Sequence, residues 1–133
     1  MKCISPYHVN GIQPVPCGRC LACRIAQSQE WSARMMHEME HYKASTFATL
    51  TYDDDHLPVG GDLVKAHLQR YIKRIRYAIS RDKRVMRYYG CGEYGTKYGR
   101  PHYHVILFGL GPEDRELLED KWDNGHIYCG ILS

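Results

Sequence analysis

The strongest constraint on the fold is the run PHYHVILFGL, residues 101–110. Its apolar stretch, rich in β-branched and aromatic residues, reads as a strand of a buried sheet. A second strand is read at RVMRYYGCGEY, residues 84–94, and the intervening GTKYGR reads as a short turn. The two runs therefore pair as antiparallel neighbours. Alternation along a strand puts His102 and His104 on one face, roughly 6.5 Å apart, and turns Tyr103 to the other. The hairpin brings Glu93 alongside them. One carboxylate and two imidazoles form a three-ligand set with open positions, as a catalytic ion needs. The mixed N/O set suits Mg²⁺ or Mn²⁺, and Zn²⁺ also fits the ligand types. The competing reading is two histidines hydrogen-bonded in or beside the core.

The rest of the chain supplies the other elements. An unbroken helical pattern runs from about Leu21 to Lys43, with Ile25, Trp31, Met35, Met36 and Met39 read as core packing. STFATLTY, residues 45–52, reads as a strand. Asp62 is placed to cap a helix reaching Ile79, with Leu63, Leu68, Ile72, Ile75 and Ile79 as its apolar stripe. GPEDRELLEDKW opens like a helix, and GHIYCGIL reads as a last strand. After the first helix the order is β-α-β-β-α-β. The expected fold is α+β and ferredoxin-like, a split βαβ antiparallel sheet with helices on one face. An N-terminal Cys-rich segment and a long helix precede it. The expected division is 1–43 and 44–133 within one compact domain, with residues 1–16 irregular.

The chain has 133 residues, 44% hydrophobic and 25% charged, which excludes a disordered polypeptide. No apolar run is long enough to span a membrane, and no signal-peptide pattern opens the chain. The net charge of +3 does not announce a nucleic-acid binder. Its distribution is more telling. Residues 70–87 carry Arg70, Lys73, Arg74, Arg76, Arg81, Lys83, Arg84 and Arg87 against one acid, Asp82. Arg70, Lys73, Arg74 and Arg76 are the expected DNA contacts, joined by Arg19, Arg24 and Arg34. A solvated helix face is the plainer alternative. Phe47, Tyr88 and Tyr89 are candidates to stack on bases. The acidic loop YDDDH, residues 52–56, is read as a solvated turn, with Asp54 or Asp55 near the metal as the lesser possibility. His126 is read as an ordinary surface or core histidine.

Of six cysteines, three fall in PCGRCLAC as Cys17, Cys20 and Cys23, with Cys3 upstream. Four thiolates can close a tetrahedral structural Zn²⁺ site. Such a site is worth about 10–16 kcal/mol of apparent binding free energy, enough to order this segment. Iron–sulfur ligation, a redox pair or buried thiols are the alternatives. Cys91 and Cys129 are read as small core residues.

GCGEYGTKYGRPHYHVILFG resembles the HUH endonuclease motif, two histidines around a bulky residue. VPCGRCLACR, EWSARMMHE, FATLTYDDDHLP and LQRYIKRIR complete, in order, a resemblance to the replication initiators of gokushovirus-type microviruses, small single-stranded DNA phages. The resemblance implies rolling-circle initiation in the host bacterial cytoplasm, on single-stranded viral origin DNA and with host replication proteins as possible partners. A metal-assisted tyrosine attack would leave a 5′-phosphotyrosine and a free 3′-OH. The family's nucleophile lies on a later helix in a pattern like Y-x-x-K. Of the eleven tyrosines, only Tyr94 has lysine three residues on, and Tyr94 sits in a turn. Tyr128 falls on the last expected strand. The nucleophile is therefore expected beyond Ser133, with the chain an N-terminal piece or naturally short. Two rival functions stand beside this one. The first is a zinc-containing single-stranded nucleic-acid-binding domain without cleavage. The second is a transposase or relaxase of the wider HUH group, which the microvirus-like motifs disfavour.

Overall fold

A computed structural model describes residues 2–132 of the chain. They form two compact units, one ending at Glu40 and the other beginning at His41.

In the first unit, β1 (Tyr7–Val9) pairs antiparallel with β2 (Gln13–Val15), Tyr7 opposite Val15. This corrects the expectation of an irregular segment. Asn10 (φ 55°) and Gly11 (φ 70°) both take left-handed backbone, which Asn-Gly adopts at little cost. Pro14 speaks against a strand, but a two-stranded ribbon has an edge on each side where a missing N–H is tolerated. The helix α1 (Leu21–Met39) starts where expected and stops four residues short of Lys43. It buries Ala22 and Cys23. Trp31 (46% exposed) and Met36 (67% exposed) are not core, contrary to expectation. The Arg34 guanidinium lies over the Trp31 ring at 5.0 Å and meets Glu30 at 2.6 Å.

The second unit is the expected β-α-β-β-α-β arrangement. Its elements are β3 (Ser45–Tyr52), α2 (Lys65–Ser80), β4 (Arg87–Tyr94), β5 (Pro101–Phe108), α3 (Arg115–Asp120) and β6 (Gly125–Leu132). The sheet order is β4-β5-β3-β6, antiparallel throughout. One sheet face turns Leu50 and Tyr52 of β3 and Tyr103, Val105 and Leu107 of β5 against Tyr71, Ile72, Ile75 and Ile79 of α2 and Leu118 of α3. Burying each such side chain contributes about 1.5–3 kcal/mol. That outweighs the marginal stability of an isolated helix this short, so α2 exists by docking. On β4 the inward positions include two glycines. A Cβ on Gly92 would lie 2.8 Å from Leu63 Cδ1, and one on Gly90 3.1 Å from Leu68 Cδ2. The missing side chains let the α2 layer settle on the strand and leave Cys91 and Glu93 facing outward.

Three further expectations change. Val64, not Asp62, occupies the N-cap of α2, and no side chain of the cap residue bonds there. β4 begins at Arg87, because Lys83 (φ 55°) still turns the chain. Cys91 is exposed rather than core, since alternation puts it on the same face as Glu93; Cys129 packs half-buried against the core.

Candidate metal centre

The register explains how three distant residues meet. Glu93 of β4 lies directly opposite His102 of β5, and Thr49 of β3 lies opposite His104. All project from the sheet face turned away from α2 and α3. His104 Nε2 stands 2.9 Å from Glu93 Oε2, and His102 Nε2 stands 3.3 Å from the same oxygen. One ligand atom from each of the three falls within 4.8 Å of the others. The imidazoles stand edge to face, with ring centroids 4.9 Å apart. Hydrogen bonds from His104 and then His102 hold the Glu93 carboxyl below its ordinary range, so it is an anionic ligand at neutral pH.

The other ring nitrogens are also occupied. His104 Nδ1 meets the Thr49 hydroxyl at 3.2 Å, and His102 Nδ1 meets the Arg100 carbonyl at 3.3 Å. Both Nε2 atoms are thereby turned to the same point. The donor set fits a divalent ion with two nitrogens, one carboxylate and open positions. Beside His102 a groove of about 350 Å³ opens between Thr51, Thr96, Lys97, Tyr98 and Arg100. The Arg100 guanidinium is anchored to Tyr52 O at 2.9 Å and Asp54 at 3.0 Å. Asp54 thus serves Arg100, and neither Asp54 nor Asp55 joins the ligand group.

Behind the histidines the strand is fastened by Tyr103. Its hydroxyl accepts the Val64 N–H at 2.8 Å and donates to Val64 O at 3.0 Å. The Tyr52 hydroxyl, 2.7 Å away, must then donate to Tyr103, and its own oxygen accepts from His67 Nδ1 at 2.6 Å. The proton order runs one way, His67 to Tyr52 to Tyr103 to Val64. Burial, then the Tyr103 hydroxyl, pushes the Tyr52 phenol far above its ordinary range. Burial likewise raises Tyr71, whose hydroxyl donates to Leu118 O at 2.9 Å. These tyrosines are structural. Tyr94 also points to the helix layer, its hydroxyl accepting the Leu63 N–H at 3.1 Å. The tyrosine expected beyond Ser133 lies outside the described residues.

The expected DNA contacts are not gathered at this centre. Arg70, Lys73, Arg74 and Arg76 lie on α2, behind the sheet from His102 and His104. Arg74 pairs with Asp123 at 3.0 Å, and Arg76 lies over the Tyr88 ring at 5.4 Å. Tyr88 faces the helix layer, whereas Phe47 and Tyr89 share the histidine face. Thr49, on that same face, escaped the sequence reading. So did the position of Tyr128, which is 66% exposed on β6 with Thr49 between it and His104. His126 also lies on this face, opposite Thr51.

In the first unit the Sγ atoms of Cys3, Cys17, Cys20 and Cys23 lie within 4.8 Å of one another. Cys20–Cys3 is 3.8 Å and Cys17–Cys23 4.0 Å, far from the ~2.05 Å of a disulfide. Gly18 (φ 76°) makes the turn that lets the Arg19 and Cys20 amides donate to Cys17 Sγ at 3.4 and 3.3 Å. Those amides pull the Cys17 thiol down to about 6. The Gly18 amide acts on Cys23 in the same sense, yet burial and the neighbouring Cys3, Cys20 and Cys17 thiols push it up to about 11. Four converging sulfurs, with amides already aimed at two of them, can hold a structural metal ion.

No helix among the described residues is long and apolar enough to cross a membrane. The chain is 38% identical to replication-associated protein ORF2 of Spiroplasma virus 4, covering 96% of this chain and 46% of that protein. It is 33% identical to replication-associated protein VP4 of Bdellovibrio phage phiMH2K, covering 89% and 44%. It is 35% identical to replication-associated protein ORF4 of Chlamydia phage 1, covering 80% and 27%. The chain thus spans about half the length of the first two relatives. The fold alone is shared with the crystal structure of hypothetical protein ORF119 from Sulfolobus islandicus rod-shaped virus 1, at TM-score 0.50 and 19% identity over 77% of this chain and 78% of that one. The family model for the ORF2-type replication-associated protein matches residues 45–132, the whole sheet that carries Glu93, His102 and His104, and the chain belongs to that family.

Proposed function

We propose that this chain carries the nicking centre of an HUH-type rolling-circle initiator acting on single-stranded origin DNA in the host bacterial cytoplasm. The observation that carries the reading is the convergence of both histidine Nε2 atoms and a Glu93 oxygen on one point of the sheet face turned away from α2. Glu93, His102 and His104 are the residues that would hold Mg²⁺ or Mn²⁺. Such an ion, when bound, polarises a scissile phosphate and offsets the charge that builds on it. The exposed aromatics Phe47 and Tyr128 offer faces on which unstacked bases rest. Lys97 and Arg100 line the groove beside His102, where a backbone phosphate fits their charge. Arg70, Lys73, Arg74 and Arg76, on the far layer, would meet flanking phosphates rather than the scissile one. The attacking phenolate oxygen, from a tyrosine outside the described residues, bonds to phosphorus. The P–O3′ bond breaks and the 3′-oxygen takes a proton. A structural Zn²⁺ on Cys3, Cys17, Cys20 and Cys23 and contact with host replication proteins complete the proposal.

The second reading is a zinc-containing single-strand binder on the same fold, favoured by the exposed Phe47 and Tyr128. Calorimetric titration with Mn²⁺ separates the two. The wild-type chain should bind, and His102→Ala/His104→Ala should not, with its melting temperature little changed. Undiminished Mn²⁺ affinity in the double variant overturns the assignment, and absence of binding to both proteins favours the plain binder.

A further inference from the structure

The two histidines are held by different kinds of group. His102 Nδ1 is fixed by a main-chain group, the Arg100 carbonyl, which also accepts the Gly95 N–H at 2.9 Å across the hairpin. His104 Nδ1 meets a side chain, the Thr49 hydroxyl, at 3.2 Å. Thr49 is the cross-strand partner of His104 and half-buried on the same face. Two residues back along β3, Phe47 stacks against the His104 ring at 5.6 Å and 22°.

These contacts differ in what they select. Stacking on Phe47 and the edge of His102 set the plane of the ring but not which of its two flips is taken. A half-turn about Cβ–Cγ exchanges Nδ1 with Cδ2 and Nε2 with Cε1. The flipped ring would put carbon against the Thr49 hydroxyl and carbon against Glu93, losing both hydrogen bonds. The Thr49 hydroxyl is therefore the group that discriminates between the flips from the side away from Glu93. It also suits both protonation patterns, because a hydroxyl donates as well as accepts. With the Nε2 lone pair committed to a cation, the proton resides on Nδ1 and Thr49 accepts it.

We propose that Thr49 is a positioning residue for His104, holding its ring so that Nε2 is presented beside Glu93 and His102 to a divalent cation. The inference rests on the metal reading above, and the experiment keeps the two apart. Mn²⁺ is titrated calorimetrically into the wild-type chain, Thr49→Val and Thr49→Ser, with melting temperatures recorded alongside. Valine keeps the shape of threonine and removes the acceptor; serine restores it. Affinity should fall about 10- to 100-fold in Thr49→Val, the usual loss when a ligand's outer partner is removed, and return close to wild type in Thr49→Ser. All three should melt alike. Wild-type Mn²⁺ affinity in Thr49→Val overturns the role of Thr49 and leaves the metal reading standing. Equal losses in both variants with lowered melting temperatures reduce Thr49 to packing. A wild-type chain that binds no Mn²⁺ overturns the metal reading, and this inference with it.

Discussion

At the scale of the residue, single hydroxyls and carboxylates decide where the strands lie. Tyr103, between the two histidines, ties β5 to the start of α2 through Val64. Tyr103→Phe keeps the ring but leaves the Val64 N–H and the Tyr52 hydroxyl without their partner. The expected cost is about 1–3 kcal/mol in urea unfolding. Asp114 makes the sharper case. Its carboxylate receives both Arg84 nitrogens, at 2.7 and 2.8 Å, and the Gly111 N–H at 2.9 Å. Arg84 first, against some burial, holds the Asp114 carboxyl below its ordinary range. A depressed carboxyl contributes stability that is fully present above its unfolded value, about 3.9, and disappears as pH falls through the folded value. Thermal unfolding from pH 6 to 2 should therefore show wild type losing its advantage over Asp114→Ala below about pH 4. At pH 6 the variant should be weaker by about 3 kcal/mol, since it strands a partly buried guanidinium.

At the scale of the element, α2 shows how packing reassigns a charge pattern. Its stripe of Tyr71, Ile72, Ile75 and Ile79 docks on the sheet, so its cations point away from the candidate metal. If they serve DNA, they serve it as phosphate contacts. Each such contact to a single strand contributes about 0.7 to the slope of log affinity against log salt. Arg70→Ala/Lys73→Ala should lower that slope by about 1.4, two such contacts, in fluorescence anisotropy with a single-stranded oligonucleotide. An unaltered slope excludes α2 from the interface. The hairpin β1–β2 teaches a different lesson. Asn10-Gly11 is a readable turn signal, masked by the prolines of the same stretch.

At the scale of the whole molecule, the division into two units predicts an uneven response to metal removal. The four thiols tie Cys3 and the β1–β2 segment to the start of α1. That unit buries few apolar side chains of its own. The second unit holds the continuous core from Ala48 to Trp122. Stripping Zn²⁺ with a strong chelator, or replacing Cys17 and Cys20 by serine, should collapse the spread of amide resonances from residues 2–40. Those of β3 to β6 should stay in place. Elemental analysis of the purified chain should find one zinc; neither zinc nor iron there ends the metal reading of the cysteines.

Much of this protein is legible without its structure, because the signals are periodic or local. Strand alternation is a property of the backbone, so His102 and His104 had to share a face and Tyr103 had to leave it. A short hairpin brings its two strands into register, so Glu93 had to lie near His102. Short-spaced cysteines are readable as one cluster for the same reason. What the chain alone leaves undecided are the contacts between residues far apart in sequence. Thr49 is 55 positions from His104, and the α2 cations have no side of the sheet until the isoleucines choose a face. Those outcomes depend on which strand lies beside which and on the packing of one layer against the next. Such choices are made by the burial of the whole core at once, which no local pattern encodes.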